Sequence, residues 1–199
     1  PTLPADHQPS RRRQGSAEIP EDDPVRAAVQ QYSALQGEIA QAGEGFVALV
    51  QAVLDEAGIN YLSVTGRIKS VASFAAKAAR RVDGELQFPD PLRDITDQIG
   101  VRVITYVLSD VAAVAELLAD QVLVTDDRDM GQETASQGRF GYASRHLLIT
   151  LDAAREAQPD HAPLRGRLAA VQIRTVLQHA WAEFEHDIRY KGTVPDEHV

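Results

Sequence analysis

Chemistry on a polyphosphate needs cations for the phosphates, flat groups for a base and an acid for a metal ion. This chain has candidates for each. Arg67 and Lys69 lie two apart in an alternating apolar segment, so both side chains leave one face of a strand. Lys77 follows eight residues later, in a helix that can point it back to the same place. Three cations meeting near a strand end and a helix start suit a polyphosphate. A solvated basic surface is the ordinary alternative. Asp97 stands in DQIGVRV, just before an apolar run, where a lone carboxylate is usually a turn residue. Tyr142, Ser144 and His146 alternate along GYASRH, so a purine can stack on Tyr142 while His146 touches a phosphate or ribose. An ordinary half-buried strand with a satisfied histidine reads the same way.

Leu168 to Thr175 alternates as a strand and then changes to a helical period. Val176, Leu177, Ala180, Trp181, Phe184 and Ile188 form one apolar stripe, the expected core side. Thr175, His179, Glu183, His186 and Tyr190 form a second, polar line. That line is either the wall of a site or a solvated face with an internal Glu–His pair. As zinc ligands, His179, Glu183 and His186 lack the H-E-x-x-H spacing and a third strong ligand nearby.

The elements that must position these residues follow from the same patterns. Residues 1–23, with prolines, Arg11 to Arg13 and an acidic cluster, read as a flexible arm. Residues 24–58 read as a helical segment, with Pro24 at a first helical position and a break expected at Gly43 and Gly45. Residues 59–199 read as the main domain. Within it, strands are expected at Tyr61–Lys69, Gly100–Val107, Gln121–Thr125, Tyr142–Leu151 and Leu168–Thr175. Helices are expected near 71–81, capped by Ser70, and through Asp120, capped by Ser109. Residues 83–93 and 126–141 read as loops. The sum is an α+β fold, a mixed sheet of about five strands flanked by helices.

A chain of 199 residues, 44% hydrophobic, can build one core-bearing domain. The net charge of −9 gives no overall basic field and argues against nucleic acid as a partner. With no cysteine there is no disulfide framework and no thiol nucleophile, which fits a cytoplasmic protein. No run reaches the length of a membrane-spanning helix.

GRIKS with a lysine eight positions beyond its own, DQIGVR, GYASRH and VQIRT followed by HAWAEFEHDIRYK resemble the synthetase domain of the RelA/SpoT family. The resemblance runs from about residue 60 to residue 191, with the motifs in the family's order. Those enzymes transfer pyrophosphate from ATP to the 3′-hydroxyl of GTP or GDP, making pppGpp and ppGpp. The resemblance implies a nucleotidyltransferase-like fold of the small, synthetase-only type, with ATP and GTP or GDP as partners. It places Arg67 and Arg102 on the two faces of adenine, a stacking role that suits guanidinium planes. It gives Lys69 and Lys77 the ATP phosphates, Asp97 a magnesium ion, and Tyr142, His146, Gln172 and Arg174 the acceptor nucleotide. Some small members form tetramers. A homo-oligomer is therefore allowed, though no feature of this sequence specifies one.

Two positions depart from the family. Ala143 replaces a side chain that helps hold the acceptor's phosphates. Ala170 stands where the family has the glutamate that helps bind magnesium and activates the 3′-hydroxyl. Alanine neither coordinates a metal nor takes a proton, and losing a general base costs roughly 10²–10⁴-fold in rate. The alanine reads as an engineered trap for substrates or as a natural loss. Weak or absent synthesis is expected. The alternatives are a non-catalytic nucleotide-binding protein on the same fold and, further off, a toxin-like enzyme acting on the 3′ end of tRNA.

Overall fold

The computed structural model describes residues 24–130 and 144–191, with side chains as far as Phe184. The expected α+β architecture is present. In chain order, α1 (Pro24–Ala34) and α2 (Gln36–Glu56) precede β1 (Tyr61–Ile68) and α3 (Val71–Ala78). A small hairpin, β2 (Arg81–Val82) and β3 (Glu85–Leu86), and a helical turn α4 (Pro91–Asp94) lead into β4 (Ile99–Thr105). Then come α5 (Leu108–Gln121), β5 (Leu123–Asp129), β6 (Arg145–Thr150), β7 (Ala169–Thr175) and a last described helix, Val176–Lys191. Five strands form one sheet in the order β1-β4-β7-β6-β5. The central β4–β7 pair is parallel and its neighbours are antiparallel.

The period of two along the strands separates the sheet into two faces. Val64, Ile99, Val101, Val103, Leu147, Ile149, Val171 and Ile173 point to the back, where they are buried with residues of α2 and α5. Each such side chain contributes roughly 1.5–3 kcal/mol by leaving water. The alternate residues, including Arg67, Arg102, His146, Ala170 and Gln172, come out on the front. Covering the back face fixes the strand register, since a slip of one residue would turn the front set inward.

The break expected at Gly43 and Gly45 does not occur, because α2 runs through both. A Cβ on Gly43 would stand 3.4 Å from Ile68 Cγ2, and one on Gly45 only 2.8 Å from Leu164 Cδ2. These glycines let the helix lie close to its neighbours, and the turn comes earlier, at Leu35. Ser70 does cap α3, accepting from the Ser73 N–H at 3.2 Å. Ser109 does not cap α5. It lies inside the helix, whose N-cap is Val107. The expected 83–93 loop holds the turn of the β2–β3 hairpin, where Asp83 and Gly84 take φ values of 52° and 89°. Asp-Gly is the pair that a two-residue hairpin with positive φ favours. Asp126–Asp129 is not loop but the end of β5. This is an edge strand, where charged side chains are accommodated and discourage pairing with another chain. The rest of that expected loop, and the arm at 1–23, lie outside the described residues.

Candidate functional site

A cleft of about 410 Å³ opens on the front face, lined among others by Arg67, Asp97, Arg102, His146, Ala170 and Gln172. That volume falls in the range of small-molecule sites. Register explains the convergence. Thr65, Arg102, Gln172 and His146 are successive cross-strand partners from β1 through β4 and β7 to β6. Residues far apart in sequence thus form one row across the sheet.

At one end of the cleft the charges are paired. Lys69 Nζ lies 2.9 Å from Asp97 Oδ2, and Lys77 Nζ lies 3.1 Å from Asp97 Oδ1. Both lysines are held from behind. The Lys69 N–H donates to the Gln98 carbonyl at 2.8 Å, and its own carbonyl accepts from the Tyr32 hydroxyl at 2.7 Å. Tyr32 stacks on Phe74 of α3 with centroids 3.9 Å apart, which ties α1 to this end of the site. Lys77 stands 5.4 Å from the centroid of Phe88. Burial alone would raise the pKa of Asp97, but the hydrogen bonds from Lys69 and Lys77 outweigh it and hold the carboxyl below its ordinary range.

Arg67 and Gly100 are cross-strand partners, and Arg102 is the next front-facing residue along β4. A Cβ on Gly100 would stand 3.3 Å from Arg67 Cγ, so the glycine makes room for the arginine stem. Arg67 and Arg102 are diagonal neighbours, which sit roughly 7 Å apart in a sheet. That is about the room a flat ring needs between two guanidinium planes.

The other end holds neutral hydrogen bonds. Gln172 Nε2 lies 3.1 Å from His146 Nε2, and Ser144 Oγ lies 2.8 Å from the same ring nitrogen. Arg174 does not line the cleft. It is 5% exposed and donates from Nη2 to Gln172 Oε1 at 3.2 Å. Ala170 lies between the two ends, beside Gly100 in the parallel pair. Tyr142 and Ala143 lie outside the described residues.

Magnesium was implied at Asp97. Among the described residues that line the cleft, Asp97 is the one carboxylate. No group of three or more His, Asp or Glu among the described residues could hold a metal ion. The zinc reading also needs His186, whose side chain lies outside the described residues. A single carboxylate gripped by two ammonium groups does not make a cation site unaided. It fits magnesium when a triphosphate engages the lysines and supplies the remaining oxygens, the usual manner of binding this ion.

The last described helix inverts the sequence expectation. Thr175 and Gln178 form a reciprocal cap: the Gln178 N–H donates to Thr175 Oγ1 at 3.2 Å and the Thr175 N–H to Gln178 Oε1 at 2.8 Å. Leu177, Trp181 and Phe184, expected in the core, are 77%, 51% and 58% exposed. The helix instead turns His179 toward the front of the sheet, where polar residues rather than an apolar layer await it. Glu183 Oε1 lies 3.6 Å from Arg102 Nη1 and 3.5 Å from His179 Nδ1. His179 Nδ1 makes no hydrogen bond. Burial first, then Arg174 and Arg102, lower its pKa, while Glu183 pulls the other way. The neighbouring carboxylate is therefore a contact of a neutral ring. Glu183 is engaged with Arg102 and does not line the cleft beside Ala170.

Sequence reasoning missed Arg128. It is the cross-strand partner of His146 and extends the front-face row to the sheet's edge, with Nε 2.9 Å from Asp126 Oδ2. An arginine inside an otherwise acidic run was the available signal, hidden because DDRD reads as loop. Nothing in the sequence pointed to the bond between Tyr32 and Lys69.

Comparison with known proteins bears on the family and the fold. The family model for the region found in RelA/SpoT proteins matches residues 66–194. The chain is 33% identical over 137 residues to the GTP pyrophosphokinase YjbM of Bacillus subtilis, covering 67% of this chain and 59% of that protein. It is 29% identical over 127 residues to YwaC of the same organism, covering 63% and 56%. The matched region is thus less than two thirds of each relative. Among solved structures, small alarmone synthetase 1 of Bacillus subtilis bound to its product pppGpp superposes with a TM-score of 0.63 at 26% identity, covering 84% of this chain and 85% of that one. A GTP pyrophosphokinase family protein of Streptococcus pneumoniae gives 0.64 at 25% identity, covering 84% and 81%. No described helix is long and apolar enough to cross a membrane. With well over half of its length matching the family's defining region and its fold matching solved small synthetases, the chain belongs to the RelA/SpoT family.

Proposed function

We propose that the cleft binds ATP and GTP or GDP together and is shaped to transfer pyrophosphate from the first to the 3′-hydroxyl of the second. The observation that carries this is the shared cleft: Arg67, Asp97 and Arg102 at one end, Gln172 and His146 at the other, on a sheet whose relatives include a synthetase bound to pppGpp. Arg67 and Arg102 take the adenine between them. Lys69 and Lys77 leave Asp97 for the β- and γ-phosphates. Magnesium arriving with the triphosphate, held at Asp97, would neutralise charge on the transferred group. In the transfer, the acceptor O3′ forms a bond to the β-phosphorus, the bond to the α-phosphate oxygen breaks, and AMP leaves. Positioning and charge neutralisation by these side chains contribute most of what such a site can do.

The proton leaving O3′ has no side chain to receive it at position 170. Synthesis by the unaltered chain is therefore slow or absent, and nucleotide binding outlasts it. The test is nucleotide separation after incubation with ATP, GTP and magnesium. Ala170→Glu should raise the rate by roughly 10²–10⁴-fold. No product from that variant would overturn the reaction. Robust synthesis by the unaltered chain would overturn the role given to position 170. Calorimetry that shows nucleotides binding to both chains, with neither turning over, would leave a non-catalytic binding protein as the better reading.

A further inference from the structure

Arg174 lies two residues beyond Gln172 on the same face of β7, buried where the last helix crosses the sheet. Its guanidinium meets the Gln172 amide at 3.2 Å. A guanidinium has five donors and no acceptor, so the amide atom it meets is the oxygen. The amide NH₂ is then turned the other way, toward His146 Nε2 at 3.1 Å. An amide NH₂ only donates. His146 Nε2 must offer its lone pair, and the ring proton must sit on Nδ1. Ser144 Oγ, 2.8 Å from the same Nε2, is a rotor that can also donate to it. The donor-only chemistry of arginine thus dictates the orientation of the amide and, through it, the tautomer of the histidine.

We propose that Arg174 is a positioning residue that acts through Gln172 to fix His146 as the Nδ1–H tautomer. The accepting nitrogen of the ring is occupied by these bonds, and the other ring nitrogen is a donor. That edge suits an oxygen of the acceptor nucleotide, a phosphate or a ribose hydroxyl. It also means that His146 does not take the proton that Ala170 leaves without a receiver. These last two consequences rest on the proposed pyrophosphate transfer, whereas the tautomer does not.

The test reads the tautomer directly. The full chain is labelled with ¹⁵N-histidine and its ring nitrogens are observed by two-bond ¹H–¹⁵N correlation without nucleotide, with His146→Gln used to assign the signal. The expected result is the Nδ1–H pattern for His146. In Arg174→Ala it shifts to the Nε2–H form that free imidazole prefers, and guanidinium ion returns it toward Nδ1–H. Because Arg174 is buried, Gln172→Met serves as a second variant that breaks the same link at similar volume. An Nε2–H ring in the unaltered chain, or an unchanged tautomer in either folded variant, overturns the proposal. Arg174→Ala should weaken guanosine nucleotide binding roughly tenfold and ATP binding less than twofold, as the loss of one aligned hydrogen bond would. An equal loss for both nucleotides marks a merely structural arginine and overturns the proposal. Failure to bind any guanosine nucleotide would defeat the proposed reaction while leaving the tautomer result standing.

Discussion

The two ends of the cleft are built on different physics. The Lys69–Asp97–Lys77 end is a cluster of formal charges already paired with one another, at 2.9 and 3.1 Å. The Gln172–His146 end is a neutral network whose members are oriented by a buried arginine. Charge pairs with partly exposed side chains exchange partners at small net cost. They suit a ligand that brings its own charge, because an anionic group can replace the carboxylate as partner to the lysines. Directional hydrogen bonds suit a ligand that must present one particular hydroxyl. Between the two lies Ala170, beside Gly100. On the proposed reaction, a carboxylate there would link the charged end to the acceptor hydroxyl, and alanine leaves the two ends unjoined.

The largest effect that would sharpen this contrast lies at the charged end. Lys77→Met should weaken ATP binding roughly ten- to a hundredfold, the worth of a hydrogen bond to a charged group. Guanosine nucleotide affinity should stay within about twofold. Asp97→Asn should act with the opposite sign on metal-free ATP, tightening it several-fold, because both lysines are released while the negative charge is removed. Calorimetry with and without magnesium separates the cases. If Lys77→Met weakens both nucleotides alike, the two ends are not independent and the contrast fails.

Gly66 lies under the charged end and bears on both faces of the sheet. It lines the cleft, yet a Cβ there would stand 2.6 Å from Val47 Cγ2 of α2 on the other side. Gly66→Ala should destabilise the fold by about 1–3 kcal/mol, as overpacking of a filled interior does. Urea unfolding measures it. The folded fraction should show its binding defect with ATP, since Arg67 is the next residue, and little defect with guanosine nucleotides. An unchanged unfolding midpoint would mean that α2 does not press on β1 as described.

How far the sequence disclosed this arrangement depended on what each pattern encodes. β4 and β7 were legible because alternation marks a strand with one covered face, and their burial follows the same order residue by residue. The charged end was legible because Arg67, Lys69, Lys77 and Asp97 are attached to recognisable strand and helix ends. The continuity of α2 was not. A glycine that breaks a helix and one that admits a neighbouring side chain look alike until Leu164 and Ile68 are placed beside them. Nor was the orientation of the last helix. Its period supplies two stripes, but which one is covered depends on the sheet beneath, and that face is polar. Resemblance gives Arg174 to the acceptor nucleotide, and its burial could not be read from the sequence.

His179, on the last described helix, is lowered in pKa by burial and then by Arg174 and Arg102. It gives the smallest and most specific of these effects. In the unfolded chain the ring takes its proton near the ordinary value of 6.5, whereas in the folded chain it does so only at lower pH. The unfolded state therefore binds more protons in the interval below 6.5, and stability falls as the pH falls through it. The contribution of His179 is fully present above 6.5 and is lost progressively below it, down to the folded value. His179→Gln should make urea midpoints measured at about pH 7.5 and about pH 5.5 differ less than they do in the parent, with the other histidines common to both chains. The effect should be smaller than that of Gly66→Ala, because the ring remains partly exposed and Glu183 partly offsets the two arginines. A parent whose midpoint falls no more steeply than the variant's would show that His179 is not held neutral. It would then pair with Glu183 as an imidazolium, and the polar face of the last described helix would carry one more positive charge than described.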